Sequence, residues 1–212
     1  IKHNEAMLHL IRARLHLLAQ RREDRLVFDL QATVAKSFGY QAPDVNTDRR
    51  AFVRPSEALM RQYYWAAKAV TQLNQILLLN IEERLNPETH VLRPLRPLNT
   101  HFFDKAGMVE VASDDLYQRE PHAILETFLV YQRHVGMKGL SVRTLRALYN
   151  ARGLMNGAFR HDPVNRETFK KILLQSDGVT HAMRLMNQTS VLGRYLWIFR
   201  KIVGQMQHDL FH

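Results

Sequence analysis

The 212-residue chain contains no cysteine. That excludes disulfides and thiolate metal sites, and it fits a cytoplasmic setting. No apolar run approaches membrane-spanning length; ILLL at 76–79 is the densest patch and is far too short. No signal-peptide pattern precedes the first helical segment. Phosphate-binding signatures are missing as well. There is no P-loop, no GxGxxG, no Gly-Ser pair and no Asp-x-Asp. A nucleotidyl-transfer site needs such a turn for phosphates and such acids for magnesium. Polybasic arms, aromatic RNA-binding motifs, internal repeats and low-complexity tracts are also lacking.

A net charge of +10, with eleven histidines uncounted, is present instead. It favours an anionic partner only weakly, because the clusters RREDR (21–25) and DRR (48–50) mix in acids. Nucleic acid is therefore not the expected partner, and no membrane association is expected.

Most of the chain has helical period, which predicts a mainly α fold. Met7, Leu8, Ile11, Leu15 and Leu18 form one apolar stripe. Asp24 is expected to cap a second helix with Leu26, Leu30, Val34 and Phe38 on one face, stopped by Gly39. Residues 40–54 read as loop. Pro55 and Ser56 open the longest helix, whose seam Leu59, Tyr63, Ala66, Val70, Leu73 and Leu77 is heptad-like. Running to about Leu85, it would span about 45 Å and act as the spine of a multi-helix bundle.

The prolines of 87–100 mark another loop, and HFFDKAGMVEVA (101–112) then breaks the helical rhythm. Phe102 and Phe103, a turn at Lys105–Gly107, and Val109 and Val111 around Glu110 predict one short β-hairpin. Pro121 starts a further helix ending near Gly136, and Ser141 caps the next. Beyond the break at 160–163, helices are expected over about 165–176, 178–188, 190–197 and 198–211.

Chemistry-bearing groups are sparse. Asp114 and Asp115 are adjacent, so they diverge on a regular element and read as caps of a short helix; Glu82 and Glu83 read as a solvated face. The terminal HDLFH places His208 and His212 four apart beside Asp209, one helical face able to offer two imidazoles to a metal. A metal site needs further ligands, so the same residues can equally cap, pair or face a neighbouring domain. Both ends of the chain, Ile1 and His212, read as cuts in a longer protein.

At this point the residues carry a resemblance. IRARLHLLAQRREDRLVFDLQATVAKSFGY (11–40), PHAILETF (121–128) and SVLGRYLWIFRKIVGQMQHDLFH (190–212) resemble the central region of the bacterial PII uridylyltransferase/uridylyl-removing family. A related helical domain occurs in glutamine-synthetase adenylyltransferase, but the GQMQHDLFH ending favours the former. The resemblance implies a bifunctional parent that uridylylates the PII signal protein with UTP and Mg2+, removes the group with an HD-type hydrolase, and senses glutamine through ACT domains. Residues 1–212 would be a single helical domain between the nucleotidyltransferase and HD domains. It would be non-catalytic, with no cofactor or metal of its own. The alternative is an independent metal-dependent hydrolase or a basic nucleic-acid-binding helical domain.

Three groups of residues are candidates for interdomain work. Arg12 and His16, four apart on the first helix, are expected to face the nucleotidyltransferase domain. Arg22, Arg25 and Asp29, with Asp24, are expected to lock the first two helices together through Arg–carboxylate pairs. Gln205, His208, Asp209 and His212 are expected to face the HD domain, with Gly193 and Gly204 as bending points.

Overall fold

The computed structural model describes residues 2–40, 54–85 and 95–202. These form two compact units, one built on residues up to Leu73 and one over Asn74–Arg200. The fold is mainly α, with a small sheet in the second unit.

In the first unit, α1 (Lys2–Ala19) and α2 (Phe28–Ser37) pack together with the start of α3 (Pro55–Leu85). Their core is Ile11, Leu15, Val34, Ala35 and Leu59, with Met7, Leu26, Leu30, Phe38 and Tyr63 packed around it. The predicted stripes are thus the ones that bury, except that Leu18 stands exposed at the end of α1. Gly39 ends α2 as expected. With φ +82 it lets its own N–H reach the carbonyl of Lys36 while that of Tyr40 reaches Ala35, the paired bonds of a Schellman stop. The Arg14 guanidinium lies 4.0 Å over the Phe38 ring and donates to the Ser37 carbonyl, sealing this end. Asp24 does not cap α2. The helix starts three residues later, behind Val27 and without a side-chain cap, because Asp24 is held elsewhere.

The 31-residue α3 has the predicted bounds, and the division between the two units falls within it. Along its seam Leu59 and Ala66 are buried, whereas Leu77 is exposed, as are Leu78, Ile81 and Leu85.

The second unit contains the predicted hairpin. Strands β2 (Phe102–Lys105) and β3 (Met108–Val111) pair antiparallel, with Phe102 opposite Val111 and Lys105 opposite Met108. The turn residues Ala106 and Gly107 both have positive φ, as a two-residue type I′ connection requires. Asp104 accepts the Gly107 N–H at 2.7 Å. Two strands were not expected: β1 (Arg96–Pro97), antiparallel to β2, and β4 (Gly139–Leu140), parallel to β3.

Around the sheet lie α4 (Leu116–Arg119), α5 (Ala123–Arg133), α6 (Val142–Ala151), α7 (Gly157–His161), α8 (Pro163–Leu173), α9 (Val179–Gln188), α10 (Val191–Tyr195) and α11 (Trp197–Ile202). Helix α5 is the centre of the core: Ile124, Leu125 and Phe128 are fully buried. Ser141 caps α6 as predicted, accepting the Thr144 N–H. The Thr144 hydroxyl donates in turn to the Val109 carbonyl at 2.9 Å and accepts the Val111 N–H at 3.0 Å, so the first turn of α6 is tied to β3. Asp114 and Asp115 diverge: Asp115 takes the N-cap position of α4 but its side chain makes no cap hydrogen bond, and Asp114 does not cap the helix. Asp114 takes the Arg143 Nε at 2.6 Å, and Asp115 pairs with Arg119 at 3.0 Å.

Candidate functional site

Three sequence candidates of the first unit, Arg12, His16 and Arg22, converge on one carboxylate. Arg12 and His16 share a face of α1, and the turn after that helix returns Asp24 to them. Arg12 Nε is 2.7 Å and His16 Nε2 3.0 Å from Asp24 Oδ1, and Arg22 Nε is 3.3 Å from Oδ2. The Arg12 hydrogen bond, then that of His16, holds the Asp24 carboxyl well below the usual range. The pairing is the competing interaction that removes Asp24 from the helix end.

A second node lies next to it. Glu23 is buried; its Oε1 accepts the backbone N–H of Arg25 at 3.0 Å and its Oε2 faces Arg21 at 2.9 Å. Its carboxyl is lowered, first by that backbone hydrogen bond. The Arg25 side chain itself is almost fully exposed and reaches Glu23 only at 3.7 Å. Asp29 sits exposed in the first turn of α2 and forms no ion pair among the described residues. The predicted charge lock therefore runs through Arg12, His16, Arg22 and Asp24, with Arg25 reaching only Glu23 and Asp29 left out. Gln205, His208, Asp209 and His212, together with Gly204, lie outside the described residues. Among the described residues no group of three or more His, Asp or Glu is arranged to hold a metal.

Sequence reasoning missed two features of the second unit. In the first, His101 stands between two carboxylates, with Nδ1 2.7 Å from Glu126 and Nε2 3.1 Å from Glu120. Asn99 donates to the same Glu126 at 2.8 Å, so this cluster ties the hairpin to α5. The second is a groove of ≈ 560 Å³ lined by residues of α7, α8, α10 and α11. Arg160, Arg166 and Lys170 supply charge, and Phe169, Tyr195 and Trp197 supply rings. No lining residue is acidic. Burial, together with the charges of Arg200 and Arg152, pushes the nearby Arg194 down, which marks a crowded cationic region. The signal in the sequence was the spacing of Arg166, Phe169 and Lys170 on one face of α8.

Comparison with known proteins gives concordant matches. The family description "GlnD PII-uridylyltransferase" matches residues 1–78, and "Uridylyltransferase GlnD third domain" matches residues 102–195. A bifunctional uridylyltransferase/uridylyl-removing enzyme of Cupriavidus metallidurans is 62% identical over 99% of this chain. Another, of Burkholderia mallei, is 59% identical over 100% of the chain. The chain spans only 23% and 24% of the lengths of these two relatives. No solved structure matches.

Proposed function

Since this chain belongs to the bifunctional uridylyltransferase/uridylyl-removing enzyme family, we propose that it is the non-catalytic helical part of such an enzyme. In this reading the parent acts in the cytoplasm, uridylylating and deuridylylating the PII signal protein in response to glutamine, with UTP and Mg2+ as substrate and metal. The observation that supports it is identity of about 60% along the whole chain to relatives four times longer. The lack of a Gly-Ser turn and of an Asp-x-Asp pair in residues 1–212 supports the non-catalytic reading.

The role left to the chain is packing and coupling. The Asp24 cluster gives α1 a charged face fixed by hydrogen bonds, with Arg12 half exposed. Arg12 and His16 would meet the nucleotidyltransferase domain there. Gln205, His208, Asp209 and His212 would lead into the HD domain.

Two measurements test this reading. The purified 212-residue chain is expected to show neither transfer nor removal of uridylyl groups; turnover by it alone overturns the non-catalytic assignment. Arg12→Glu in the full-length enzyme is expected to raise the apparent Michaelis constant for UTP or PII. Unchanged kinetics would remove Arg12 from the interdomain face.

A further inference from the structure

The groove of the second unit is built from residues other than those assigned to the packing role above. Arg160 comes from the end of α7 and is anchored by its own Nη1, which donates to the Met155 carbonyl at 3.2 Å and approaches that of Arg194 at 3.5 Å. Arg166 and Lys170 stand one turn apart on α8 and are both exposed. Lys170 is 3.9 Å from Glu167, a long surface pair of little strength. Arg166 forms no ion pair among the described residues; burial raises the Tyr195 hydroxyl, with Arg166 and Asp162 acting on it in opposite directions. Asp162, the nearby acid, is already engaged: it accepts the Val164 N–H at 2.8 Å as the cap of α8 and faces His122 at 3.7 Å.

The other wall is aromatic. Phe169 and Tyr195 pack at 4.9 Å between centroids, and Tyr195 is nearly buried. Trp197 is 52% exposed beside the equally exposed Ile198. A large exposed indole next to clustered cations offers one surface for a planar ring and another for an anion. The volume of ≈ 560 Å³ lies within the range of small-molecule sites.

We propose that this groove binds a nucleotide-class ligand, a phosphate ester carrying a planar base. Arg160, Arg166 and Lys170 take the phosphate, and Trp197 stacks against the base. Guanidinium forks suit phosphate oxygens, and stacking on an aromatic face tolerates any base. The site consists only of residues of this chain and does not depend on the packing role proposed above.

Photolabelling of the full-length protein with 8-azido-AMP, followed by peptide mapping, tests the assignment independently of any other nucleotide site. Label is expected on peptides from 160–198, protected by AMP but not by equal concentrations of inorganic phosphate or adenosine. Arg166→Gln is expected to reduce that label about tenfold, the scale of a lost charge-assisted hydrogen bond. Lys170→Gln is the second variant, and both side chains are exposed, so the fold is retained. Absence of label on these peptides overturns the proposal, as does label indifferent to both substitutions. Equal protection by phosphate alone would make the groove a plain anion site, and equal protection by adenosine a purely apolar one. Displacement by polyglutamate but not by AMP would make it an acidic-protein surface. Each of these results also overturns it.

Discussion

One carboxylate, that of Asp24, serves Arg12, His16 and Arg22 together. Its carboxyl is depressed on folding, so the stability it contributes is complete above about pH 4, the ordinary carboxylate value, and is lost as pH falls below it. Asp24→Asn should lower the melting temperature at pH 7 and flatten its decline as pH falls below about 4, read by circular dichroism. Parallel curves for the two proteins would show that another carboxylate governs acid lability. Arg25→Ala is expected to change stability by less than about 0.5 kcal/mol, because its backbone N–H, not its guanidinium, makes the close contact with Glu23. The charge alternation in 22–29 was readable from the sequence, but the partner of each charge was not. Which Arg meets which acid depends on how the turn after α1 folds back, and spacing along the chain does not encode that.

Elements differ in how plainly the sequence announces them. The hairpin was readable because Val109 and Val111 alternate with Glu110 and a Gly-containing turn precedes them. Strands β1 and β4 were not, since two residues carry no period and their pairing is decided by the neighbouring strand. Helix α7 was missed for the same reason: five residues are too few for a stripe, and its signature is the Asn156 side chain accepting the Phe159 N–H. Among caps, Ser141 succeeded where Asp24 failed, because no cation competes for a buried hydroxyl. Ser141→Ala is predicted to cost about 1 kcal/mol for the cap alone, measured as a shift in urea midpoint at constant slope. No shift would mean that Thr144, not Ser141, holds the first turn. Gly178→Ala should also destabilise the chain, since φ is +75 and the new Cβ would meet Gln132 Cγ at 3.2 Å. An unchanged urea midpoint for that variant would show that Gln132 yields at no cost.

Across the molecule, apolar burial falls into two clusters, one around Leu15 and Val34 and one around α5. Leu15→Ala should cost about 2–5 kcal/mol and speed hydrogen exchange over residues 2–40. Protection across 102–195 should be unchanged; a matching loss there would show that the two cores melt as one. The groove was the least readable part of the molecule, because its walls come from four helices that only the fold assembles. The parallel pairing of β3 with β4 has a kinetic consequence. Strand β3 finds β2 across two residues, a closure of microseconds. It can find β4 only after residues 112–138, including α4 and α5, have been gathered in, at a greater entropic cost. One strand thus keeps two clocks. In pulse-labelled refolding, the amides of Phe103 and Glu110, which face each other across the hairpin, should be protected early. The amide of Ser141, bonded to the Val109 carbonyl at 3.0 Å, should close last, so β4 records the moment at which the second core is complete.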